Sequence, residues 1–160
     1  RFAMAGRTVT GVQRAMWGMV RLRLRDVRAI NVNITSGRTV INAALGDICT
    51  SEKATAILLR WHIFRPAHVT GQSLPNSIRT AIANNATLNW SLPLAQWTDA
   101  HERAVTDQLL SDAAAINATQ NQLAAWPNYA GRGSRRYTVN NELGALRGGR
   151  NSFQLDATGI

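Results

Sequence analysis

The chain has 160 residues, 45% of them apolar, which is enough for one domain with a core and argues against wholesale disorder. Its formal charge is +9, carried by 17 arginines and a single lysine, Lys53, so an acidic partner is expected: nucleic acid first, an anionic membrane surface second. Cys49 is the only cysteine, which excludes a disulfide framework and a cysteine metal site, and no apolar run has the length of a bilayer span. The chain begins at Arg1 rather than Met, so a processed product or a trimmed fragment is expected, without a signal peptide in what is present.

The charge is unevenly placed. Residues 1–38 carry eight arginines against Asp26, whereas residues 99–126 carry four acids against Arg103. A helix is expected over residues 8–30. Over residues 7–28 Arg7, Arg14, Arg21 and Arg28 recur every seven residues, and Arg25 follows Arg21 by four. At about 100° per residue these five fall in a stripe roughly 60° wide. Gly11 and Gly18 lie on the same stripe, and Val9, Val12, Met16, Met19, Val20, Val27 and Ile30 lie opposite.

A solvated helix face normally mixes signs for i,i+4 pairing, but Asp26 is the only acid here. Glycine costs a helix interior about 1 kcal/mol relative to alanine. Arginine with glycine therefore suits a face that a phosphate backbone approaches closely. Arg23 is the misfit, since it projects from the apolar side.

Residues 31–38, with Gly37 as a stop signal, are expected to be a connection, followed by a helix over 39–64 on the spacing of Val40, Ala44, Ile48, Ala54, Ile57, Leu58 and Trp61. Pro66 ends it. Ser73 is positioned to cap a third helix, and Ser91 a fourth that runs to Trp126, where Pro127 stops it. Asp99 with Glu102 also reads as a capping box, which would start that helix at Asp99. Residues 127–160, rich in glycine, arginine and asparagine, read as an extension that packs on something else, with a loosely ordered terminus as the plain alternative.

The fold class expected is therefore all-α. A long basic N-terminal helical arm (1–38) precedes a helical bundle (39–126) and an extended C-terminal tail (127–160). Trp61, Trp90, Trp97 and Trp126 are expected in core or helix-end packing. Trp17, beside the arginines, is held open for a partner contact.

No catalytic constellation stands out. His62, His68 and His101 lack metal-ligand spacing, and no cofactor or metal site is expected. His101 beside Glu102 is the best seed for a nuclease-type site, but it lies on the acidic helix. Asn33, Asn85, Asn89 and Asn117 stand in Asn-x-Ser/Thr sequons.

A long arginine-faced helical arm, then a helical bundle, then a C-terminal extension resembles the major capsid proteins of rod-shaped and filamentous archaeal viruses. The likeness is one of architecture over most of the chain. In that family the arms of paired subunits wrap double-stranded DNA and hold it in A-form, while the bundles build the outer shell. The resemblance implies a non-enzymatic virion subunit that associates with itself or a related capsid subunit into a filament. Arg7, Arg14, Arg21, Arg25 and Arg28 would then face DNA, and Arg38 and the Arg132, Arg135 and Arg136 cluster would help. A repeated arginine row suits a repeating phosphate backbone better than base edges, so the grip is expected to ignore sequence. The alternatives are a ribosome-associated or other RNA-binding structural protein, a membrane-active toxin domain using the basic amphipathic helix, and a secreted nuclease.

Overall fold

The computed structural model describes residues 10–64, 66–123 and 146–154, with backbone only at Thr10, Phe64 and 113–123. The arginine-bearing helix α1 spans Thr10–Arg28. It is followed by a β-hairpin, β1 (Asn31–Ser36) and β2 (Thr39–Ala44), then by the single turn α2 (Leu45–Ile48) and by α3 (Glu52–Phe64). Next come α4 (Pro66–Thr70), α5 (Ser73–Asn84), a 3-10 turn at Leu94–Gln96, and α6 (Asp99–Leu123).

The hairpin corrects the all-α expectation: the chain is mostly helical but carries a two-stranded antiparallel sheet where a connection and the start of a helix were expected. The reason lies in side-chain alternation. Val32 and Ile34 of β1, and Thr39 and Ile41 of β2, are buried, whereas Asn31, Asn33, Thr35 and Asn42 face out. Val40 was assigned to the helical seam, but it is 68% exposed. Ser36 pairs with Thr39, which leaves Gly37 and Arg38 as a two-residue loop. Gly37 has φ +58° and Arg38 does not share the positive φ, the pattern of a type II′ turn, whose twist matches that of the strands.

The remaining helices follow their signals more closely. Ser51 caps α3, its Oγ accepting the Ala54 N–H at 3.1 Å. Pro66 separates α3 from α4 and opens the latter. The last helix starts at Asp99 and not at Ser91. Its capping box is formed by Thr98 and His101, with the Thr98 N–H donating to His101 Nδ1 at 3.1 Å. Ser73 lies inside α5, and Gln72 precedes it without a side-chain cap.

One core joins these elements. The hairpin lies on α5 through β1, α5 packs on α6, and α3 touches α1, α4 and α6. Ile34, Leu45, Ile48, Leu58, Leu74, Ile78 and Leu109 are fully buried at its centre. Trp61, Trp90 and Trp97 are buried, with Trp90 edge-on to both Trp97 and His101. Trp126 lies outside the described residues.

The described part of the C-terminal extension, 146–154, packs on the chain's own body. Arg147 donates from its backbone and guanidinium to Glu52, at 2.9 and 2.5 Å. The Phe153 N–H donates to Thr50 O at 3.0 Å.

Candidate nucleic-acid interface

The α1 helix seats on α2 and α3 by a face different from the one its composition suggests. Leu24 and Val27 are buried, and Trp17, Val20 and Arg28 half-buried, while Met16, Met19 and Leu22 are exposed. The packed face is thus turned by about a quarter of a helix turn from the expected aliphatic face. Arg23 ceases to be a misfit, because the side it projects from is solvent-facing.

On the arginine side, Arg14 and Arg25 are exposed and Arg21 is half-buried. Gly18, between Arg14 and Arg21, and Gly11, one turn before Arg14, look onto open space: a Cβ at either would meet nothing within 4 Å among the described residues. At 1.5 Å rise per residue, Arg14, Arg21 and Arg25 span about 16 Å of helix. The inner end of this row opens onto a hollow of about 350 Å³ lined by Arg25, Arg28, Ala29, Gly46, Asp47 and Phe153. Arg25 lines that hollow, and Arg21 stands about one helical turn before it.

Arg28 is engaged by the fold itself. Its guanidinium donates to Gly46 O at 2.9 Å, Cys49 O at 3.1 Å and Thr55 Oγ1 at 3.2 Å, and it lies over the Phe153 ring, 4.8 Å from the centroid. The carbonyls at the end of a helix lack intrahelical donors, and a cation satisfies both their hydrogen bonding and the helix dipole. Arg150 does the same from the other side, donating to Asp47 O and Ile48 O at 3.2 Å each. Between them, Arg28 and Arg150 cap four consecutive carbonyls, 46 to 49. Gly46 leaves room for this, since a Cβ there would stand 3.1 Å from Arg28 Cβ and from its carbonyl oxygen, a tight contact that Arg28 would have to relieve.

Arg38 is exposed at the hairpin tip, roughly 17–20 Å of strand away from the end of α1. It does not join the row. Arg7, Arg132, Arg135 and Arg136 lie outside the described residues. Of the nine arginines singled out from the sequence, the structure brings Arg14, Arg21 and Arg25 into one accessible row, with Arg28 at its foot in a structural role.

The pair considered for nuclease chemistry is internal. Glu102 is 1% exposed and accepts from Thr50 N–H at 2.8 Å, Ser51 N–H at 2.9 Å, Thr50 Oγ1 at 3.2 Å and Arg150 Nη1 at 2.9 Å. His101 is buried against Trp90 and Trp97. Glu102 holds the start of α6 to the 45–51 turn, and His101 holds it to the 89–98 segment. The sequence offered no signal for Arg150 as the partner of Glu102, because the two stand 48 positions apart in segments of different character.

His62, at the end of α3, is buried with its Nδ1 unpartnered among the described residues. Burial depresses its basicity, the positive charge of Arg23 depresses it further, and Asp26 opposes the shift. Trp17 has its indole N–H buried without an acceptor among the described residues.

Comparison with known proteins finds no family model, no characterised protein and no solved structure that matches this chain.

Proposed function

We propose that this protein is a non-enzymatic structural subunit that coats double-stranded DNA without reading its sequence, as a capsid or nucleoprotein subunit of a virion does. The observation that carries the reading is the row of Arg14, Arg21 and Arg25 on a helix whose Gly11 and Gly18, on either side of Arg14, leave the backbone approachable. Arginine forks bind phosphate oxygens bidentately, and phosphate contacts position a protein on nucleic acid without specifying bases. Contacts to the backbone alone give binding that depends on charge density and salt. The hairpin departs from the all-α layout of the archaeal capsid proteins, so the reading stands on the arginine row and not on that resemblance.

Competition between unrelated duplexes tests it: equal affinity for all of them, with electron micrographs showing continuous coating, is the expected result. Preference for one sequence, or for structured RNA in a one-to-one complex, would replace it with a specific or RNA-binding role. A second reading has an observation of its own. Met16, Met19 and Leu22 are exposed beside the arginines, as in helices that lie on anionic bilayers. Leakage of anionic vesicles at low protein concentration would favour it.

A further inference from the structure

The most exposed large apolar side chains of α1 form a second surface, separate from the arginine row. Met16 is 54%, Met19 71% and Leu22 59% exposed, and Val12 and Ala15 lie on the same side. Positions 12, 15/16, 19, 22/23 and 26 repeat at alternating three- and four-residue steps, the seam by which one helix packs on another. The seam ends in Arg23 and Asp26, opposite charges three residues apart, both exposed.

We propose that this seam is the contact between two copies of the chain, paired antiparallel about a two-fold axis midway between Arg23 and Asp26. An isologous interface must be complementary to itself. With the helices crossed there, each copy's Arg23 faces the other's Asp26, so one ion pair is made twice, and Leu22 and Met19 flank it and extend the contact along the partner. A parallel, in-register pair would set Asp26 against Asp26 and is disfavoured by like charge. Asp26 also argues against a bilayer as the occupant, because it would face anionic lipid. Methionine suits the role, since its flexible thioether adapts to an opposing surface.

The exposed apolar area is a few hundred Å² per copy, at the low end for an interface, so the pair is a weak one that forms with rising concentration. It rests on the placement of α1 and not on DNA binding.

The test uses the full chain without nucleic acid, followed by sedimentation over a wide concentration range. The wild-type mass should rise towards twice the monomer. Arg23→Asp makes the seam's charges both acidic and Asp26→Arg makes them both basic. Each variant alone should stay monomeric, and an equimolar mixture of the two should pair. Circular dichroism confirms that both keep the fold, as their exposed positions imply. A wild type that remains monomeric throughout overturns the proposal, as do single variants that associate like wild type or a mixture that does not pair. Monomeric protein that binds anionic vesicles, and loses that binding in Met19→Asp, gives the seam to a membrane instead. Because the arginine row is untouched by these variants, duplex binding that survives loss of pairing leaves the DNA reading in place.

Discussion

Arg14 and Arg28 stand on the same face of the same helix, two heptads apart, and they do different work. Arg14 is exposed, whereas three of Arg28's donor bonds go to the 46–55 segment. Replacing Arg28 by Ala should cost about 2–4 kcal/mol in chemical denaturation, because it leaves buried carbonyls without donors. Arg14→Ala should change stability by no more than about 0.5 kcal/mol and should act on binding alone. Residue chemistry also sets a pH dependence. The pKa of His62 in the folded protein lies below its ordinary value of 6.5, so the folded state favours the neutral ring. The stability this contributes is complete above about pH 6.5 and is lost as pH falls from there through the lowered value. Thermal midpoints should therefore drop on acidification across that window, and the drop should be smaller in His62→Gln. An identical profile in the variant would mean that His62 is not the group responsible. The even spacing of arginines was legible in the sequence, but the diversion of Arg28 was not. It depends on the carbonyls of α2, which exist as a cluster only once the chain has turned at Leu45.

Elements show the same division between local and tertiary information. The boundary at Pro66 and the start of α6 at Asp99 follow from capping chemistry written over a few residues. The hairpin is hidden in the sequence because Val40, Ala44 and Ile48 are spaced by four, while the competing alternation of Val32 and Ile34 with asparagine and threonine spans only a few residues. Gly37, a stop signal in the sequence, is the turn itself. The orientation of α1 is not legible in composition because its aliphatic residues circle more than half the helix, so composition does not say which of them the body covers. Leu24, on the packed face, lies outside the expected one. Gly18 allows stability and binding to be separated at this scale. Alanine there meets open space and has the higher helix propensity, so Gly18→Ala should stabilise the fold by up to about 1 kcal/mol in urea unfolding. If phosphate approaches the backbone at that point, the same variant should bind duplex DNA more weakly. Equal or tighter binding would show that the glycine serves no close approach.

At the scale of the whole molecule, the body is a scaffold that fixes one end of a charged helix. The hairpin and α5 fill the core, Glu102 and Arg150 tie α6 and the C-terminal segment to the 45–51 turn, and Arg28 locks the foot of α1 to that same turn. The fully buried residues of α1, Leu24 and Val27, fall near this foot, while Arg14, farther out, is exposed. A rigid base and an accessible cationic shaft suit a subunit that lays the shaft along a polyanion. The measurement that tests this most directly is the salt dependence of binding to a generic duplex, for wild type and for the variant with Arg14, Arg21 and Arg25 all changed to Ala. The logarithm of the affinity should fall linearly with the logarithm of salt, and the slope should be shallower in the variant by up to about 0.9 per lost phosphate contact, or about 2–3 in all. Wild type and variant with equal slopes, or a wild type that does not bind, would contradict the claim that this row holds DNA.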